Sequence, residues 1–189
     1  MGRPKLLLPW GPTTILGHLL GCWQGRGVRQ LGVVCSANNA TIEPELDRLS
    51  FPRENRIYNP RPEDGMFSSI VCAARWPGWQ PALTHWIIAL GDQPHLQSAT
   101  LDKLLAFAAE HPQQVCQPIF QGKRRHPVVL PASIFRDLVV GAPDADLKAF
   151  LARYSAAVVQ SEDPGLELDI DRPEDYDRAL ALADLTTRR

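Results

Sequence analysis

A chain of 189 residues, 44% hydrophobic and 22% charged, has the composition of an ordinary globular protein, and a single domain of that length buries about 70% of its unfolded surface. The formal net charge of −1 gives no basic excess that would favour nucleic acid or an acidic membrane surface. The apolar runs, Trp86 to Leu90 among them, are far too short to span a bilayer.

Thr13 to Trp23 places Ile15, Leu16, Leu19, Leu20 and Trp23 on one helical stripe, which ends near Gly25 and Gly27. Leu31 to Cys35 is a short apolar run with β-branched residues, the pattern of a buried strand. Thr41 to Leu49 reads as a helix with Glu43, Pro44 and Glu45 in its first turn. Arg56 to Tyr58 then reads as a strand, Phe67 to Trp76 as a helix, and Trp86 to Leu90 as the clearest strand of all. Ser98 to Glu110 follows as a helix with Leu101, Leu104, Leu105 and Ala108 at helical spacing, closed by His111-Pro112. Val115 to Phe120 and Val128 to Leu130 are predicted strands, Asp146 to Tyr154 a helix, Ala157 to Gln160 a strand, and Pro173 to Leu182 the last helix. This alternation predicts a three-layer, Rossmann-like α/β fold with a mainly parallel sheet, formed by residues 1–189 as one domain.

Cys22, Cys35, Cys72 and Cys116 are scattered with no C-x-x-C pair, so reduced thiols are expected rather than disulfides or a zinc site. The first residues also lack the apolar region of a signal peptide, and the expected compartment is the cytoplasm.

Ligands of open α/β sheets bind beyond the carboxyl ends of the strands. That rule selects Gly91-Asp92-Gln93-Pro94, directly after the clearest strand. Gly91 allows a close approach, and Asp92 either offers a carboxylate to a hard cation such as Mg²⁺ or caps the turn and the following helix. Alternation along Asp169-Ile170-Asp171 puts the two acids on one face of an extended segment and Ile170 on the other. Asp171 can also serve as the N-cap of the helix that begins Pro173-Glu174-Asp175, an explanation that Asp169 lacks. Arg3 and Lys5 stand on a Gly/Pro turn that could hold a polyphosphate or simply be solvated. Gly65, Ser68 and Ser69 form a strand-to-helix junction able to meet a nucleobase or ribose, or merely to cap the helix. Arg125 and His126, between two strands, face an anionic substrate or solvent.

In order along the chain stand M-G-x-P-K-L-L-L-P, N-P followed by G-M-x-S-S-[IL], G-D-Q-P, H-P-V and D-I-D-x-P-E-D-Y. That series, from Met1 to about Tyr176, resembles the MobA-like nucleotidyltransferases, and most closely their molybdenum cofactor cytidylyltransferase branch. The resemblance implies transfer of CMP from CTP to molybdopterin, with Mg²⁺ as cofactor and release of pyrophosphate. It assigns Lys5, with Arg3, to the nucleotide phosphates, Asp92 to the metal, and Asp169 and Asp171 to the acidic pair near the metal and the reacting phosphate. Gly65, Ser68 and Ser69 fall where the family reads the base, and Arg125 and His126 where it meets the pterin. A molybdoenzyme or its maturation chaperone is a further partner implied.

Two departures accompany the likeness. In the family, M-G-x-P-K is the second half of a longer signature, L-A-A-G-x-S-x-R-M-G-x-P-K. The expectation is therefore a chain without the first strand and glycine-rich loop, from a misplaced start or a real truncation, with open sheet edges, poor solubility and little activity. The branch's G-D-x-G-A-[RK] segment is replaced by Val140-Gly141-Ala142-Pro143-Asp144-Ala145-Asp146-Leu147-Lys148. That keeps open a different phosphorylated acceptor, such as a sugar phosphate or phospholactate, while the absent loop keeps open an inactive cofactor-binding or maturation protein.

Overall fold

The structure, a computed structural model, describes residues 4–37, 40–140 and 146–187. A 3-10 turn over Lys5–Leu7 leads into a small antiparallel hairpin of β1 (Pro9–Trp10) and β2 (Thr13–Thr14), which turns through Gly11 at φ 56°. The hairpin passes into α1 (Ile15–Gln24), whose N-cap is Thr14: its hydroxyl accepts from Gly17 N at 3.1 Å. The predicted helix therefore loses its first two residues to a strand and a cap.

β3 (Val33–Ser36) and β4 (Arg56–Asn59) pair in parallel from Val33 opposite Arg56 to Ser36 opposite Asn59. A parallel pair needs a crossover, and α2 (Glu43–Arg48) supplies it. Arg56 is buried at the start of β4 and neutralised by Glu43 at 2.6 Å and Asp47 at 2.7 Å, both on α2. After α3 (Met66–Arg75) come β5 (His85–Ile88), α4 (Ser98–Glu110), β6 (Val115–Phe120), β7 (Lys123–Arg124), β8 (Val128–Pro131), α5 (Ala132–Val140), α6 (Leu147–Leu151), β9 (Ala156–Gln160) and α7 (Pro173–Thr187).

β5 to β9 form a five-stranded sheet in the order β5-β8-β6, with β7 and β9 also on β6. β6 and β9 run parallel, whereas β8 is antiparallel to both β5 and β6, and β7 is antiparallel to β6. The sheet is thus mixed, and the expectation of a mainly parallel sheet is met only in part. The reason is local. Gln121 at φ 48° and Gly122 at φ 74° close a tight turn between β6 and β7. A turn that short can only return the chain antiparallel.

The largest core cluster packs Ile134, Phe135, Leu138, Leu147 and Phe150 of the helices against Val115, Val128 and Leu130 of the sheet. A second joins Leu16 and Leu20 of α1 to Cys35, Leu46 and Phe51. The third matters most for function: Trp10 and Ile15 meet Leu168, Ile170 and Ala179. It fastens the front of the chain to the segment that carries Asp169 and Asp171. Burying Ile170 completely contributes about 1.5–3 kcal/mol and fixes which way its two acidic neighbours point.

Candidate active site

Lys5, Asp92 and Asp171 are brought together from positions far apart in the chain. The Lys5 Nζ donates to Asp92 Oδ2 at 2.7 Å and to Asp171 Oδ1 at 3.1 Å. Each element has a local cause. Pro4 opens the 3-10 turn, in which Leu7 N donates to Pro4 O and Leu8 N to Lys5 O. Gly91 lets the chain beyond β5 pass close to that turn, because a Cβ there would lie 3.1 Å from Leu6 Cδ2. The close neighbour of this glycine is therefore Leu6. Ile170 N donates to Asp92 O at 3.1 Å, which ties the two acidic segments by their backbones.

Burial pulls the Lys5 ammonium toward its neutral form, but the hydrogen bonds and charges of Asp92 and Asp171 outweigh it. Its pKa stands above the ordinary 10.5, and the ammonium is fixed at neutral pH. The Asp92 side chain is 20% exposed and that of Asp171 69%, so one carboxylate is set into the wall and the other faces water. Asp92 Oδ1 is buried with no hydrogen-bond partner. Asp171 turns Oδ1 to Lys5, while Arg172 N, just ahead of α7, donates to Asp175 Oδ2 in the first turn of that helix at 3.0 Å.

Asp169 sits beside this cluster, its Oδ1 accepting from Gln93 Nε2 at 2.9 Å. Gln93, buried and next to Asp92, is a positioning residue that sequence reasoning passed over, although it lies inside the G-D-Q-P motif. His126 borders the same acids. Burial pushes its pKa below 6.5 against the pull of Ile88 O, Asp169 and Asp92, which leaves a neutral imidazole at pH 7. Arg125 pairs with Glu167 Oε1 at 2.7 Å, just ahead of the Leu168–Ile170 segment, so its charge is already partnered.

Gly65, Ser68 and Ser69 form a separate junction after β4. Gly65 takes φ 85° ahead of α3, a conformation that favours glycine. Asn59 Nδ2 donates to Ser68 Oγ at 2.8 Å and Ser69 Oγ at 3.0 Å, while its Oδ1 accepts from Arg61 N. Ser68 also donates to Gly65 O at 2.7 Å. Asn59 thus organises the loop, and its only sequence signal was the N-P dipeptide at a strand end. Arg3 lies outside the described residues, as does much of the segment that stands in place of G-D-x-G-A.

Among the described residues no group of three or more His, Cys, Asp or Glu side chains could hold a metal ion by itself. The cluster instead offers hard carboxylate oxygens in small number, the set Mg²⁺ takes when phosphate oxygens and water complete its shell. Both acids already hold a cation, the Lys5 ammonium, and the orphaned Asp92 Oδ1 offers a further donor. These residues fit a divalent ion bound together with a polyphosphate.

No curated protein sequence matches the chain. Among solved structures, Rv0371c of Mycobacterium tuberculosis H37Rv in complex with manganese is 26% identical, with a TM-score of 0.65 over 95% of this chain and 93% of that one. A 4-diphosphocytidyl-2C-methyl-D-erythritol synthase is 15% identical, with a TM-score of 0.71 over 95% of this chain and 94% of that one. Molybdopterin-guanine dinucleotide biosynthesis protein A of Archaeoglobus fulgidus, 15% identical, gives 0.63 over 97% and 92%. At 15% identity these last two show the shared α/β fold alone. The model of the MobA-like NTP transferase domain matches residues 1–165, most of the chain, and the chain belongs to that nucleotidyltransferase family.

Proposed function

We propose that the protein transfers a cytidylyl group from CTP to a phosphate of a molybdopterin-type acceptor, with release of pyrophosphate and with Mg²⁺ as the cofactor. The observation that carries this reading is the meeting of Lys5 with Asp92 and Asp171, beside Asp169, in a chain of the MobA-like family. The choice of CTP and of a pterin acceptor rests on the ordered motifs of that branch. The manganese bound by the M. tuberculosis relative supports a divalent cation.

An acceptor phosphate oxygen attacks the α-phosphorus, the bond from that phosphorus to the bridging oxygen breaks, and pyrophosphate leaves with the bonding pair. Such transfer depends on positioning and electrostatics and needs no nucleophilic side chain. Asp92, with Asp169 or Asp171, would hold the Mg²⁺, which when bound supplies positive charge against the charge growing on the phosphates. Lys5, assisted by Arg3, turns from the carboxylates to the β- and γ-phosphates and steadies the leaving pyrophosphate. Gln93 keeps Asp169 aimed. Gly65 opens the backbone for the base, and Asn59 donates to both serine oxygens, leaving the Ser69 O–H to donate in turn. His126, neutral, and Arg125, steadied by Glu167, face the acceptor.

The test is pyrophosphate release from CTP and from GTP, each with and without molybdopterin, in the presence of Mg²⁺. Release that requires molybdopterin and favours CTP supports the reading. A clear preference for GTP, or release indifferent to molybdopterin but stimulated by a sugar phosphate, overturns the substrate assignment.

A further inference from the structure

Two connecting segments meet along one seam beside the acidic cluster. One is Asp92 to Gln97, between β5 and α4; the other is Asp163 to Ile170, between β9 and α7. Four hydrogen bonds join them, in reversed order along the two segments. Ile170 N donates to Asp92 O at 3.1 Å, and Gln93 Nε2 to Asp169 Oδ1 at 2.9 Å. His95 Nε2 donates to Gly165 O at 3.0 Å, and Gln97 N to Asp163 Oδ2 at 2.8 Å. Both segments lie outside the strands, so no sheet ladder sets their register and these contacts must.

The half of the seam away from Asp92 is buried. His95 is 2% exposed and Asp163 3%, and Gly165 between them is buried as well. Both side chains converge on that glycine. Asp163 Oδ1 accepts from Gly165 N at 2.8 Å, while the His95 imidazole holds Gly165 O. A carbonyl can only accept, so the imidazole carries its proton on Nε2. Nothing larger than glycine fits, since a Cβ there would lie 2.9 Å from both Asp163 Oδ1 and His95 Cδ2. The same carbonyl accepts from Leu168 N at 3.2 Å and closes the 3-10 turn Pro164–Glu167, from which the chain runs straight on to Asp169. Burying an imidazole and a carboxylate costs solvation that an apolar pair would not. What this pair adds is a fixed place for one residue of the backbone.

We propose that His95, with Asp163, is a positioning residue for the divalent ion: by holding Gly165 it sets where the chain leaves the turn, and so where the acids of Asp169 to Asp171 stand against Asp92. The proposal rests on the reading of these acids as holders of the metal. Buried Ile170 decides which face the acids take, and Gln93 aims the Asp169 side chain, but neither fixes the start of the segment. Without the His95 contact that start is free, and Asp169 drifts from Gln93 and from the metal position.

The test compares His95→Gln, whose amide can still donate to Gly165 O, with His95→Leu, which fills the space without a donor. The first readout needs no ligand: the side-chain amide protons of Gln93 in nuclear magnetic resonance, shifted and slowed in exchange by the Asp169 carboxylate. The second is the gain in CTP affinity on adding Mn²⁺. His95→Leu is expected to return the Gln93 amide to the position of a free amide and to cut the Mn²⁺-dependent gain at least about tenfold. Its CTP affinity without metal should be unchanged, and His95→Gln should keep both readouts near wild type. Asp163→Asn, milder because one acceptor oxygen remains, should move both readouts in the same direction and serves if His95→Leu does not fold. A Gln93 amide unmoved in His95→Leu and Asp163→Asn overturns the inference. So does a Gln93 amide that moves while the Mn²⁺-dependent gain stays whole, or a His95→Gln variant that restores neither. A wild type whose CTP binding ignores Mn²⁺ removes the catalytic reading instead, and the Gln93 amide alone then decides whether His95 places the acidic segment.

Discussion

Replacing Lys5 by Met should move two affinities in opposite directions. The Lys5 ammonium lies 2.7 Å from Asp92 Oδ2 and 3.1 Å from Asp171 Oδ1, where an entering cation would have to displace it. Coulomb's law with an effective dielectric of about 20 gives roughly 6 kcal/mol for the shorter contact. That is an upper bound, because the Lys5 side chain is 36% exposed and that of Asp171 69%, and water screens both. With exposed pairs worth about 0.2–1 kcal/mol each and the Asp92 contact somewhat more, the ammonium's hold is about 1–2 kcal/mol. Lys5→Met, which keeps the aliphatic stem and removes the charge, should therefore bind Mn²⁺ alone roughly 5- to 30-fold more tightly. The same variant should bind CTP with Mn²⁺ more weakly than wild type, since the charge that met the phosphates is gone. Titration calorimetry reads both. If the variant weakens both affinities, Lys5 does not compete for the metal position, and the inference from its two short contacts is wrong.

Three further outcomes follow from the same geometry. Gln93→Leu should lower CTP affinity in the presence of Mn²⁺ by about tenfold, as loss of a partner that aims a ligand does, while circular dichroism stays unchanged; undiminished affinity would remove Gln93 from the site. Arg56→Met should cost about 2–4 kcal/mol in urea unfolding, because it leaves Glu43, Asp47 and Phe51 O without their buried partner; a loss below about 0.5 kcal/mol would mean that water replaces the guanidinium freely. Burial pushes the pKa values of His18 and His95 below 6.5, so the unfolded chain binds more protons than the folded one as pH falls past that value. The urea midpoint should accordingly drop between about pH 7.5 and pH 5, and an equal or higher midpoint at the lower pH would contradict the burial of these imidazoles.

Much of this architecture could be read from the residues, and what could not has definite causes. β5 and the loop after it were legible because a continuous apolar run ends at Gly91-Asp92. Ile170 between two acids was legible because alternation has a single physical meaning when one face is buried, as its complete burial bears out. The contact of Lys5 with Asp92 and Asp171 was not legible from spacing, since no local pattern relates residues so far apart; family resemblance alone put them in one site. The mixed sheet was missed because Gln121-Gly122 is a weaker hairpin signal than Asn-Gly or Asp-Gly. α5 was missed although Ile134, Phe135 and Leu138 have helical spacing. It follows β8 without a loop, and its first residue still donates to Thr84 O as though the strand continued. The β1–β2 hairpin is too short for alternation to register, and its role is to seat Trp10 on Ile170 and Ala179.

The central claim is that Asp92 holds a divalent ion on which nucleotide binding depends, and it is tested most directly by titrating CTP into wild type and Asp92→Asn, each with and without Mn²⁺. The substitution keeps the shape of the side chain but removes its charge, at a position where Oδ1 is buried and unpartnered and Oδ2 meets Lys5. Wild type is predicted to bind CTP at least about tenfold more tightly with Mn²⁺ than without, and Asp92→Asn to show no such gain. An equal metal-dependent gain in both proteins would contradict the claim.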